Sequence, residues 1–295
     1  MFDSASRLVF FLLFLLAAEG IAQPYVDIAN LNYQQFSAPS KKNIAIQNRT
    51  EIYSLNFFLP LQRENGNALL FRVNGEAIRS SVSPRLNEES IIGSVSLAFG
   101  YQHLSKNKKW KSFVLGIPKL ASDFKETIDS RDFQYGIFFV ENYKFSDKLQ
   151  VKAGIYYNKE VFGSFVVPLL GVDWKASERL YFFGLLPTNY KIEYTIAKKK
   201  WYTGINFKAQ TRSFQLSESQ NNDYIRFDEV VLKGYAEYYF LNNLVAYCEI
   251  GHAFGDAPLQ YKFNSEVLSS SNLNYASVRN YPLMSFGIAY RIREK

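Results

Sequence analysis

Cysteine is almost absent from this chain. Cys248 is the only one in 295 residues, which excludes an intrachain disulfide and a cysteine-built metal cluster. Histidine is nearly as scarce. His103 and His252 stand far apart, and neither has a metal-ligand spacing such as H-E-x-x-H. No G-x-S-x-G nucleophile elbow and no glycine-rich phosphate loop occurs. Neither a metal nor an organic cofactor is therefore expected. Beyond the N-terminus no stretch approaches ~20 consecutive apolar residues, so no transmembrane helix is expected either. That excludes helical membrane proteins and leaves β-barrels open, because a barrel strand needs only about 9–11 residues and shows lipid only half of them.

What the chain does have begins with an export signal. Arg7 ends a short polar head, Leu8–Ala18 is an unbroken apolar run, and Gly20, Ile21 and Ala22 supply the small-residue pattern that a signal peptidase reads. The run spans about 16 Å as a helix at ~1.5 Å per residue, too short for an apolar membrane core of roughly 30 Å. Residues 1–22 read as a cleaved signal peptide, cut between Ala22 and Gln23, and residues 23–295 as one mature domain. Cleavage removes one base (Arg7) and two acids (Asp3 and Glu19), making the formal charge of +7 more positive by one. No Lys/Arg cluster sits on a nucleic-acid-binding scaffold, so nucleic acid is not an expected partner. Anionic lipid headgroups suit an exported basic chain better.

The clearest periodicity lies in Tyr190–Arg212. Tyr190, Ile192, Tyr194 and Ile196 alternate with polar residues, Lys198, Lys199 and Lys200 make a basic turn, and alternation resumes from Trp201. A period of two on both sides of a tight turn is a β-hairpin with one apolar and one polar face. The same rhythm predicts fourteen strands: Tyr25–Phe36, Ile44–Leu59, Ala68–Arg79, Ile91–Gln102, Trp110–Leu120, Phe133–Phe145, Leu149–Asn158, Phe165–Ala176, Leu180–Leu186, Tyr190–Ala197, Trp201–Arg212, Tyr224–Phe240, Leu244–Phe254 and Tyr281–Ile292. A count of twelve stays open, because Leu180–Leu186 and Tyr190–Ala197 are short, and Glu141 interrupts the apolar face of Phe133–Phe145.

Short polar turns (around Asp147, Glu178, Lys199 and Asn242) alternate with longer connections such as Ser80–Ser90, Ser122–Asp132, Ser217–Asp223 and Pro258–Asn280. Outer-membrane barrels alternate in this way, with turns on the periplasmic side and loops outside. Loop 258–279 reads as a mobile segment. Alternation alone does not say which face looks inward, and a soluble secreted β protein with an apolar interior shares the pattern. Three features favour the membrane: charges in mid-strand on the polar faces, glycine and alanine mixed with bulky residues on the apolar faces, and aromatic residues (21 Tyr, 26 Phe, 3 Trp) gathered at strand ends. The expected fold is all-β, a closed antiparallel up-and-down transmembrane barrel.

The final strand, Ser285-Phe286-Gly287-Ile288-Ala289-Tyr290-Arg291-Ile292, resembles the recognition signal that bacterial outer-membrane proteins present to their assembly machinery, with Gly287, Tyr290 and Ile292 at its defining positions. It departs from the common ending in that Arg293-Glu294-Lys295 follows. More broadly, Pro168-Leu169-Leu170-Gly171-Val172-Asp173-Trp174, Leu185-Leu186-Pro187 and the aromatic–turn–Leu/Trp rhythm give most of the mature chain a similarity to a family of Gram-negative outer-membrane β-barrels of unassigned function. The resemblance implies fold and an outer-membrane location, with lipids and the assembly machinery as partners. It implies no catalytic residues.

For function, the strongest constellation is the expected lumen. Arg72, Lys152, Lys191, Glu193, Lys208, Arg212, Lys233, Glu237, Glu249 and Arg291 fall on polar faces of the strands. They either brace the wall or line a path for small solutes whose selectivity they tune. Three readings stand side by side: a small channel or transport protein with a mixed-charge lumen, a structural or surface-interaction barrel acting through loop 258–279, and a lipid-modifying enzyme of the outer membrane using His252. No catalytic motif accompanies the third.

Overall fold

The computed structural model describes residues 24–39, 47–80, 90–216, 223–254, 259–263, 266–269 and 281–293. The signal segment, its cleavage point at Ala22 and Gln23, and much of loop 258–279 lie outside the described residues. Sixteen strands run in chain order: β1 (Tyr25–Pro39), β2 (Gln47–Gln62), β3 (Ala68–Ser80), β4 (Ser90–Leu104), β5 (Trp110–Ser122), β6 (Phe133–Ser146), β7 (Leu149–Glu160), β8 (Gly163–Lys175), β9 (Leu180–Leu185), β10 (Asn189–Ala197), β11 (Trp201–Gln215), β12 (Tyr224–Tyr239), β13 (Leu244–Phe254), β14 (Leu259–Phe263), β15 (Glu266–Ser269) and β16 (Tyr281–Arg293). Each of β1 to β12 pairs antiparallel with the next, β13 pairs with β16, and β16 pairs with β1. The ring is a closed barrel of fourteen strands, so the count of twelve falls away. All fourteen expected strands are present.

β14 and β15 lie where the sequence suggested only a mobile loop. β13 ends its ladder with β12 at Phe254 and Val230, which leaves the upper edge of β12 bare. β14 covers that edge, pairing with Tyr224 to Phe227, and β15 pairs with β14. Covering a free edge is the ordinary reason for such an addition.

The direction of the faces is now decided. Large apolar side chains point away from the barrel into the surroundings, among them Ile250 at 72% exposure and Leu170 at 64%. Leu55, Leu97, Phe99, Ile137, Ile155 and Ile288 continue this belt around the wall. Water would penalise such a surface by about 25 cal/mol per Å², and a contiguous apolar surface on this scale belongs to a partner or to lipid. Exposed Trp110, Phe145, Trp174, Trp201 and Phe240 mark the turn end of the belt, and the Tyr33–Tyr53 and Tyr135–Tyr157 pairs mark the loop end. Two aromatic girdles around an apolar band are the signature of a wall standing in a bilayer.

At the turns, Lys144 binds Asp147 and Lys175 binds Glu178. Hydrogen bonding from each ammonium holds the Asp147 and Glu178 carboxyls below the usual carboxylate range. Gly287, one of the expected assembly-signal residues, has a packing role as well. A Cβ there would come within 2.3 Å of the Tyr247 ring and hydroxyl. The bare glycine lets Tyr247 lie across β16, where its hydroxyl donates to Asn30 at 3.0 Å and accepts from Asn32 at 3.1 Å. Replacement of Gly287 by Ala is expected to cost roughly 1–3 kcal/mol through overpacking, read as a lower urea midpoint for unfolding from lipid vesicles. Tyr247→Ala beside it should restore part of the loss.

Candidate functional site

The lumen has three levels. At the loop end it is filled. The inner faces of β1 to β4 offer Phe36, Ile52, Ile78 and Ile92, and the β11–β12 hairpin leans in to place Phe214, Ile225 and Phe227 among them. Ser213, Phe214 and Gln215 are 0%, 1% and 2% exposed. A strand in the wall would bury one face only, so burial of both faces puts this end of β11 inside the barrel. Its contacts agree: Gln215 bridges to Ser122 of β5, and the Gln215 carbonyl accepts from Asp123 N–H at 3.1 Å. The Ser213 N–H and hydroxyl donate to Glu160 of β7 at 2.9 and 2.6 Å, and Gln134 donates to the Ser213 carbonyl at 3.0 Å.

Below this plug lies a charged network on one side of the lumen. Arg212 bridges Glu76 and Glu229. Lys233 donates to Gln34, Glu249 and Ser285, each at 2.9 Å. Lower still, Arg291 binds Asp27 and Glu237 and stacks 3.6 Å from the Tyr25 ring centroid. Lys191 donates to the Tyr25 hydroxyl at 2.7 Å and stands 3.8 Å from Glu237. Arg293 clasps Glu193 with both terminal nitrogens. Across the lumen, Lys152 pairs with Asp173 at 2.6 Å. The ion pairs are enclosed, so each side chain satisfies a partner that could not ionise alone at acceptable cost.

All ten lumenal residues expected from the sequence point inward, and they divide into two sets. Lys152, Lys191, Glu193, Arg212, Lys233, Glu237, Glu249 and Arg291 are locked in ion pairs. Arg72 and Lys208 make no ion pair or hydrogen bond among the described residues, and both remain accessible within the lumen. Arg72 lies 5.0 Å from the Phe58 ring centroid. Sequence alternation could place these cations inside but could not say which acids would reach them.

Between the network and the opposite wall is a cavity of about 560 Å³. Arg72, Lys191 and Asp173 line part of it; Leu70, Phe113, Leu115 and Phe138 line another part. The apolar part was missed by a reading that made every inner face polar. Its signal was present in Phe113–Ile117 and Ile137–Val140, runs apolar on both faces. Such a strand meets lipid outside and an apolar compartment inside.

No protein-family model and no curated protein sequence matches the chain. Among solved structures, it is similar to the translocator domain of autotransporter NalP from Neisseria meningitidis, at 10% identity over 98% of this chain and 94% of that one, with a TM-score of 0.42. An outer membrane channel from Pseudomonas putida F1 matches at 10% identity over 93% and 98%, with a TM-score of 0.44. The NanC porin matches at 9% identity over 90% and 100%, with a TM-score of 0.40. Overlaps at this level bring no function to the chain.

The remaining sequence candidates lie outside the lumen. His252 sits on the outer face between its ladder partners Leu232 and Pro282, with Phe254 at 5.0 Å between ring centroids. Neither ladder partner is an acid or a nucleophile. His103, Ser112 and Glu141 share one outward ladder row across β4, β5 and β6, close to the turn end, and no hydrogen bond joins them. That position accounts for the acid in an otherwise apolar face. Gly287, Tyr290 and Ile292 lie on the closing strand β16.

The division between braced and unpaired charges has a measurable consequence. Glu237→Gln strips a carboxylate from buried Arg291 and should cost about 3–5 kcal/mol. Lys208→Gln breaks no pair and should move stability by less than ~0.5 kcal/mol. Urea unfolding from vesicles of both variants compares the two.

Proposed function

We propose that this chain is an integral outer-membrane barrel that admits small solutes to its lumen, a channel or transport protein in a state with its loop end filled. The observation that carries the reading is the cavity. It lies inside a lipid-facing wall, has the volume of a small-molecule site, and reaches the turn end at Gln62, Lys111 and Gln150. An interior needed only to hold the wall together would be expected to fill that space with side chains, as the loop-end plug does. The paired charges act as braces in this reading, and Arg72 and Lys208 act on what passes. Their common sign favours anions, a preference that the mixed total of lumenal charges obscures.

The export signal and the final-strand pattern at Gly287, Tyr290 and Ile292 support an outer-membrane address, with lipids and the assembly machinery as partners. No catalytic step is assigned to the chain.

Refolded protein should shift in mobility on heating in a gel and conduct weakly in planar bilayers. Phe214→Ser with Phe227→Ser should loosen the plug and raise conductance severalfold. Lys208→Gln in that background should lower anion preference. A chain that stays soluble without detergent, or a loosened plug that leaves conductance unchanged, would contradict the reading.

A further inference from the structure

Among the described residues the barrel wall lacks a ladder over a long stretch between β8 and β11. β9 and β10 are short, and their connecting turn stops well below the loop end. Leu170 exchanges two backbone hydrogen bonds with Leu186, and Pro187 accepts from Ala209 N–H at 2.9 Å. These contacts form a sill. Above it, residues 163–169 of β8 and 210–213 of β11 face each other without a strand between them. At the top, Val161 N–H donates to the Ser213 hydroxyl at 3.1 Å, which closes a frame. Val166, Leu170 and Leu186 are exposed on the outer surface at this opening, so it faces the apolar part of the bilayer.

The edges of the frame are chemically unusual for lipid. Residues on one edge of a strand alternate, so Ser164, Val166 and Pro168 point the same way as Leu170. Proline has no N–H to leave bare. The N–H groups of Ser164 and Val166 on β8, and of Thr211 on β11, have no partner among the described residues. Hydrocarbon cannot satisfy them, and each bare group there costs several kcal/mol. A polar head passing the frame can. Immediately inside the sill is Lys208, in ladder register with Val231 and one residue beyond the Phe207–Tyr190 pair. The cavity begins there too, since Leu185, Thr188 and Asn189 of the sill also line it.

We infer that the cavity holds a single-chain amphiphile with a compact anionic head, a carboxylate or a phosphate, and exchanges it with the outer leaflet through this frame. The head engages Lys208 at the sill and Arg72 in the cavity. The chain lies along Leu70, Phe113, Leu115 and Phe138. The cavity volume suits one chain and is too small for a two-chain lipid. The inference rests on the solute-admitting lumen and specifies its substrate class and route.

The test is equilibrium binding of dodecanoate, dodecyl phosphate and dodecyltrimethylammonium to the refolded barrel in vesicles of uncharged lipid. The two anions should bind one per barrel, and the cation at least tenfold more weakly. Whichever anion binds more tightly identifies the head. Arg72→Gln and Lys208→Gln should each weaken anion binding about tenfold, and Arg72→Lys should recover most of it, with heat-shifted mobility confirming folding. Thr188→Cys in a Cys248→Ser background, capped with a bulky thiol reagent, should slow exchange with the bilayer at least tenfold. Equal binding of cation and anion, or binding indifferent to both substitutions, would overturn the head assignment. Unchanged exchange past the capped sill would overturn the route. Arg72-dependent binding of glucuronate without binding of either anionic amphiphile would overturn this inference while leaving a solute-admitting lumen intact. Absence of any lumenal ligand together with absence of conductance after loosening the plug would count against both.

Discussion

In a bilayer every backbone N–H and C=O must find a partner within the protein, because hydrocarbon offers none. That requirement bends the sheet until β16 meets β1 and makes the wall a barrel. It also explains the departures from regularity. Where β13 ends, β14 and β15 extend the ladder over the bare edge of β12. Where β9 and β10 end early, the unpaired edge of β11 turns inward, and Glu160, Gln134 and Asp123 satisfy its groups in place of a neighbouring strand. The opposite edge of β8 uses Pro168 to remove one donor outright. The loop-end plug is thus a by-product of the short β9–β10 hairpin: the part of β11 without a neighbour is the part that carries Phe214 across the lumen.

The lumen answers a second requirement of the same kind. Charges brought away from bulk water need counter-charges within reach. Eight of the ten lumenal side chains singled out by sequence meet theirs, some on the adjacent strand and some across the lumen. Glu237 answers Arg291, Glu193 answers Arg293, and Glu76 and Glu229 together answer Arg212. Among the described residues Arg72 and Lys208 are left without an ion pair; Arg72 lines the cavity and Lys208 is exposed. Bracing and recognition are therefore separated among residues that look alike in the sequence.

Much of the fold was legible because strand alternation is a local property. The hairpin around Lys199, the regular run in β7 and the Leu or Trp that opens a strand after each turn are visible residue by residue. The direction of the faces followed from mid-strand charges. What escaped is non-local. Nothing in Arg212 names Glu76, 136 positions away, and nothing in Ser213 names Glu160. The inward lean of β11 follows from the shortness of β9 and β10, seen in the sequence as a weakness in the strand count and not as a cause. Leu185-Leu186-Pro187 and Pro168-Leu169-Leu170 stood out as motifs of resemblance, and together they form the sill and one edge of the frame. The apolar cavity wall was legible in principle in Phe113–Ile117, whose two faces are both apolar.

The most direct measurement of this account is residue-resolved amide exchange of the barrel in lipid nanodiscs, read along β8. If the ladder is interrupted as described, the amides of Phe165 and Val167, which point toward β7, should be strongly protected. Those of Ser164 and Val166, which point into the frame, should exchange orders of magnitude faster. Equal protection of Val166 and Val167 would mean that a strand closes the wall there, and the interrupted barrel would be contradicted.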